Sequence, residues 1–228
     1  MGINMEKIRL FAIACLCATV SCASVPKNVR NAKSLCYTET HTNIGALINI
    51  NGFFFNHSPQ HLLFYDNGLV VSQFDDYNHE RWKKNEPKNI PLFFEEVACN
   101  PNSKDALSYY DFVDCGNYII SGDTIKVQMV HKSYSINDTG RGKERWYKVI
   151  DRNTLVCIKS LELTTDKREK AFIEKSYSHL SVGVYYTFVP TKAVPPSQYY
   201  WILKEKWFWC YEQDWKDYME KIKQKKKK

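Results

Sequence analysis

The residues able to do chemistry are few, and their spacing excludes more than it offers. Cysteines stand at 15, 17, 22, 36, 99, 115, 157 and 210 with no C-x-x-C pair, so neither a dithiol redox centre nor a zinc knuckle is predicted. His57 and His61 are four apart, but Pro59 between them denies the helix that would align two imidazoles. With His79 and Glu80 they have the residue types of a metal set, and polar loop residues are the reading preferred here. Asp75-Asp76 and Glu95-Glu96 are adjacent carboxylates, whereas a glycosidase needs two opposed across the scissile bond. No G-x-S-x-G, phosphate-binding loop or dinucleotide glycine fingerprint occurs, and Gly140-Arg141-Gly142 is a flexible basic loop. No catalytic residue, metal or cofactor is expected.

Cys22 stands in a different context. Residues 5–22 run from a basic start at Lys7 and Arg9 through the apolar stretch Leu10–Val20 to Ser21 and Cys22. This is signal-peptide anatomy, and the stretch is shorter than the ~20 residues a spanning helix needs. Thr19-Val20-Ser21-Cys22 resembles a bacterial lipobox, with Thr19 in the usual leucine position. The resemblance implies that residues 1–21 are removed and that Cys22 carries the lipid; the alternative is an ordinary secretory signal beside an incidental cysteine. By the same resemblance, Ala23 in place of Asp implies outer-membrane sorting. The lack of an acidic residue before Glu39 implies the periplasmic leaflet.

Removal of the signal and lipidation of Cys22 leave Cys36, Cys99, Cys115, Cys157 and Cys210, an odd number in an oxidising compartment. Cys99 and Cys115 flank a polar segment and either close it with a disulfide, worth ~3 kcal/mol in the loop-entropy model, or stand as buried thiols. The net charge of +7 belongs to the ends: residues 221–228 carry six Lys and no acid, and without them and the signal, bases and acids balance. A nucleic-acid partner, which calls for a basic face on the domain, is not expected. Lys221, Lys223 and Lys225–Lys228 follow a Trp- and Tyr-rich segment. They either meet an anionic bilayer, at ~1 kcal/mol per Lys, or form a solvated end.

The elements that carry these residues read as sheet. At 44% hydrophobic, 25% charged and 14% aromatic, the composition is that of a globular domain rich in strand-favouring side chains. Leu62–Tyr65 and Leu69–Ser72 surround Asp66-Asn67-Gly68, where Asn-Gly predicts a type I′ hairpin turn. Asn117–Ser121 and Thr124–Lys132 are joined by Gly122-Asp123, with Gly first as a type II′ turn requires. That register pairs Ile120 with Ile125 and Tyr118 with Val127, gathers them with Met129 on one face, and sends Lys126 and Gln128 to the other. Arg145–Ile150 and Thr154–Leu163 flank Asp151-Arg152-Asn153, and Ala46–Phe55 and Ser181–Val189 add strands at either end. Leu92–Cys99 fits strand or helix. After the break at Pro190–Ser197, residues from Gln198, and firmly from Glu212 onward, read as an amphipathic helix packed on the sheet. The expected fold is all-β: an antiparallel up-and-down meander or barrel with a C-terminal helix. Its parts are a signal over 1–21, a lipidated tether without regular structure over 22–44, the barrel over 45–190, an aromatic helical segment over 191–224 and a lysine tail over 225–228.

Gly116–Ile125 (GNYIISGDTI) and Trp146–Leu155 (WYKVIDRNTL), behind the lipobox, resemble the lipocalin-like lipoproteins of gut-type Gram-negative bacteria over residues 45–190. The chain departs from lipocalins proper in lacking a G-x-W motif near Gly45. The resemblance implies a non-enzymatic envelope protein that binds a small apolar or lipid ligand, with Phe64, Tyr118 and Tyr185 facing it. The alternative is a scaffold that docks an envelope partner and has no ligand cavity. Asp123-Thr124-Ile125 also resembles the O-glycosylation sequon of periplasmic proteins in such bacteria, which would place sugar on Thr124, or it is a chance tripeptide.

Overall fold

Strict alternation fails in three early segments: Phe53-Phe54-Phe55, Leu62-Leu63-Phe64 and Leu69-Val70-Val71 are apolar at every position, the pattern of strands covered on both faces. The computed structural model, which describes residues 25–56, 61–73, 89–132, 141–168, 170–171 and 182–225, shows why. Strands β1 (Gly52–Phe55), β2 (His61–Phe64), β3 (Leu69–Gln73), β4 (Asp114–Ser121), β5 (Thr124–His131), β6 (Arg141–Asp151), β7 (Thr154–Glu162) and β8 (Tyr185–Pro190) form one antiparallel sheet in sequence order. β8 pairs with β1, closing an eight-stranded up-and-down barrel.

Alternate residues of the apolar runs feed two separate cores. Phe54, Leu62, Phe64 and Val70 point into the barrel with Tyr118, Ile125, Val127, Met129, Tyr147 and Leu155. Phe53, Leu63, Leu69 and Val71 point outward, under helices α3 (Asn89–Cys99) and α4 (Lys104–Phe112) and the C-terminal segment. Phe53 and Phe54 are both fully buried, on opposite faces, and each side chain contributes about 1.5–3 kcal/mol of burial. Leu92–Cys99 is therefore helix: Phe94 and Val97 lie three apart and face the sheet while Leu92 stays exposed. Ser103 caps α4 by accepting from the Ala106 N–H at 3.1 Å.

The chain ends wrap this outer core. Residues 197–208 form three short 3-10 turns, not the start of a helix, and regular helix, α5, begins at Glu212 and runs to Lys225. Residues 22–44 are read from sequence as a tether without regular structure, yet helix α1 (Lys27–Ala32) packs at Gly142 of β6 with Val25 and Val29 buried. Val29 fits against Gly142, where a Cβ would lie 2.6 Å from its methyl. The next residues are held by Gln128, on the outer face as its register requires and yet buried: its Oε1 accepts from the N–H groups of Ser34 (3.0 Å) and Leu35 (2.9 Å). Burial alone would raise the Glu144 carboxyl, but hydrogen bonds from Gln128, Trp146 and Lys126 outweigh it and hold the group below the usual carboxylate range.

Of the two readings of Cys99 and Cys115, the free thiols hold, with Cys99 exposed and not buried, and the bridge lies elsewhere. Cys36 is bonded to Cys210, while Cys99 and Cys115 are free thiols. Cys99 ends α3 in solvent, and Cys115 is buried on β4 beneath the outer core, so the two are not brought together. Beside the bridge the backbones pair as well: the Tyr37 N–H donates to the Phe208 carbonyl at 2.8 Å and the Cys210 N–H to the Tyr37 carbonyl at 2.9 Å. Among the described residues no helix is long and apolar enough to cross a membrane.

Candidate functional site in the barrel interior

A closed meander has two unlike ends. The β2–β3, β4–β5 and β6–β7 connections are tight turns, and all lie at one end. The second turn behaves as predicted, with positive φ at Gly122 and not at Asp123. The first does not. Asn67 keeps a negative φ, Gly68 alone is left-handed (φ 86°), and the Gly68 N–H donates to the Tyr65 carbonyl at 3.1 Å. This is the three-residue turn with a glycine bulge, in place of type I′.

The same end is plugged. Ala46–Phe55 is not one strand: Ile44–Leu47 form a single helical turn, α2, and strand begins only at Gly52. Ile44 and Ile48 are fully buried in the interior core. Arg152, in the β6–β7 turn, donates to the carbonyls of Gly45 (2.8 Å) and Ala46 (3.0 Å) and clamps the plug. Tyr118 donates to the Tyr65 carbonyl at 2.6 Å and meets the Thr42 hydroxyl at 2.6 Å, and its ring lies edge-on to Phe64 at 5.5 Å. Thr124 opens β5 beside the exposed Gly122-Asp123 turn, with its hydroxyl on the Asp123 carboxylate.

At the opposite end, where the longer connections run, the inner wall turns polar. The register aligns Tyr118 with Val127 and Gly116 with Met129, alternation makes Asp114 and His131 the next inward residues of β4 and β5, and inward alternation along β6 from Tyr147 reaches Arg145 and Lys143. His131 Nδ1 lies 2.7 Å from Asp114 Oδ1. Burial raises the Asp114 carboxyl and His131 only partly offsets it. Burial likewise lowers the Lys143 ammonium, with Arg145 adding to the fall and Glu162 and Asp114 opposing it. Arg145 is 1% exposed. Its Nη1 stands 3.5 Å from the Tyr186 oxygen, and the Tyr147 and Tyr186 rings meet edge to face at 5.4 Å. Burial pushes both hydroxyls above the usual tyrosine range, so they stay protonated and able to donate. The Asn56 side chain adjoins the Tyr186 hydroxyl. The barrel interior is thus apolar toward the plugged end and cationic and hydroxyl-bearing toward the other.

Of the three residues expected to face a ligand, Phe64 and Tyr118 are inside. Tyr185 is 61% exposed, and its neighbour Tyr186 occupies the interior: β8 is one residue out of the assumed phase, which reverses every side chain. Asp114, His131, Lys143, Arg145, Tyr147 and Tyr186 belong to no enzyme motif in the sequence. Alternation carried outward from Val127 and Val149 is the signal that finds most of them. His61 is buried on the outer face between Phe53 and Phe94, away from this collar. Glu95 and Glu96 lie side by side on α3. The signal segment, Cys22, His57, Asp75, Asp76, His79, Glu80, Gly140 and Lys226–Lys228 lie outside the described residues. No protein-family model, curated protein or solved structure matches the chain.

Proposed function

We propose that the chain is a non-enzymatic, lipid-anchored envelope protein that holds a small apolar or lipid ligand inside its barrel. One observation carries the reading. The barrel interior has its own apolar core, separate from the outer core that packs the helices, closed at one end and polar at the other. The disulfide between Cys36 and Cys210 supports an oxidising compartment, and with the lipobox it supports a Cys22-anchored protein on the periplasmic face of the outer membrane. The closed up-and-down barrel supports the lipocalin-like kinship.

A docking role is favoured by a different surface. Ile158 (43% exposed) and Tyr185 (61%) share the outer face of β7 and β8. One experiment separates the two readings. Protein from native membranes is examined for bound lipid by native mass spectrometry, and the full chain with Cys22→Ser is titrated with an uncharged apolar dye. The ligand reading expects co-purified lipid, release of Cys22→Ser from membranes, and saturable dye uptake. Protein free of lipid that takes up no dye refutes it in favour of docking.

A further inference from the structure

The outside of the barrel is covered unevenly. Helices α3 and α4 and the C-terminal segment pack over β1–β4 and the end of β5. On the other side Ile119, Ile150, Ile158, Val182 and Tyr185 all stand exposed, and apolar side chains gathered on one patch mark an interaction surface. The register arranges them. Ile119 pairs with Lys126, Lys126 with Trp146 and Trp146 with Lys159, forming one row across four strands. In the next row Thr124 pairs with Lys148, Lys148 with Val156 and Val156 with Tyr185. Alternation puts both rows on the outer face. Lys126 and Lys159 lie over the Trp146 ring, 5.6 and 4.4 Å from its centroid. The three lysines outnumber the carboxylates they meet, Glu144 at 3.1 Å from Lys126 and Asp123 at 3.5 Å from Lys148.

We propose that this outer wall of β5–β8 lies on the bilayer that holds the Cys22 anchor, with Tyr185 and Ile158 in its headgroup layer. The inference rests on the anchor in the reading above and is independent of any ligand. The path of the chain carries it. Asn28 bonds Thr164 just past β7 at 2.9 Å, Val29 sits on Gly142 of β6, and Ser34 and Leu35 reach Gln128 of β5. Traced backward, the chain therefore comes onto the barrel from the β7 side, at the margin of the bare wall. Cys22 is three residues before Val25 and so within about 11 Å of it. A lipid there holds this wall, and not the helical side, close to the bilayer. The composition fits the same occupant. Protein interfaces are poor in lysine, whereas a headgroup layer takes Trp, Tyr and Lys together, with rings and stems inward and ammonium groups among the phosphates.

The test uses the full chain purified from membranes, with Cys99→Ser so that an introduced thiol is the exposed one. Intact mass first reads the lipid on Cys22. A bimane label is placed at Tyr185→Cys or, as the control on the helical side, at Leu92→Cys; both positions are exposed. The protein is reconstituted in phosphatidylethanolamine and phosphatidylglycerol vesicles carrying a nitroxide lipid. The label at 185 should lose most of its fluorescence and the label at 92 should keep it. Ile119→Asp with Ile158→Asp should restore the fluorescence at 185 while the lipid stays on Cys22; undiminished quenching in that variant overturns the proposal. Lipid on Cys22 with equal fluorescence at 185 and 92 also overturns it, leaves the anchor standing and returns the wall to a protein partner. No lipid on Cys22 removes the anchor and the proposal together.

Discussion

The Cys36–Cys210 bridge joins residues 174 apart in sequence, so its removal tests how the chain ends are held. In the loop-entropy model a closed loop of that length restricts the unfolded chain by about 5 kcal/mol at 25 °C. The folded state has little need of the bond. Tyr37 is buried, stacks on Phe208 at 5.1 Å, meets Trp209 edge-on at 4.9 Å and pairs with residues 208–210 through two backbone hydrogen bonds. The double variant Cys36→Ser/Cys210→Ser, made with Cys99→Ser so that the exposed thiol cannot exchange, should therefore keep the native near-ultraviolet circular dichroism. Its unfolding free energy in urea should fall by about 3–5 kcal/mol, and Tm by roughly 10 °C for a chain of this size. The m-value should rise, because the unlinked unfolded chain exposes more surface. A loss below about 1 kcal/mol with an unchanged m-value would refute the entropic account. A lost native spectrum would show instead that the bond shapes the fold.

Two further outcomes test the packing. His61 is buried against Phe53 and Phe94 with no partner for Nε2 among the described residues, and burial lowers its pKa to about 3 from 6.5. Because the folded state resists the proton, the unfolded chain binds more protons between those values, and stability falls as pH drops from 6.5 toward 3. His61→Phe should match or exceed the parent at pH 7 and lose about 3–5 kcal/mol less on going to pH 3.5; parallel acid-unfolding curves would sink this. At Gly116 an added Cβ would lie 1.9 Å from the Gln128 carbonyl oxygen, whereas at Gly45 the nearest atom is 3.7 Å away at the end of Ile50. Gly116→Ala should cost about 3 kcal/mol or more, or fail to fold, and Gly45→Ala should stay within about 1 kcal/mol, as read by thermal unfolding.

Local signals determined a good part of this molecule. Gly122-Asp123 and the alternation on either side fixed the β4–β5 register, because turn geometry and the hydrophobic face agree within about fifteen residues. The string of short strands with tight turns foretold an up-and-down sheet, and the apolar spacing beyond Glu212 foretold α5. What depended on distant neighbours did not show. Asn67-Gly68 is compatible with two turns, and the loop length that β2 and β3 need selects the bulged one. Residues 25–35 are polar overall, and only the barrel wall at Gln128 and Gly142 gives Val29, Ser34 and Leu35 something to bind. Tyr185 and Tyr186 are both aromatic, so only pairing with Val156 and Leu155 tells which faces inward. Cysteine pairing is a matter of distance in space: sequence proximity offered only Cys99 with Cys115 as a pair to weigh against free thiols, while folding brings residues 36 and 210 together. The collar around Arg145 is the extreme case. Alternation alone puts Lys143, Arg145 and Tyr147 on one face of β6, but closure of the barrel is what brings Asp114 of β4, His131 of β5 and Tyr186 of β8 to the same inner wall.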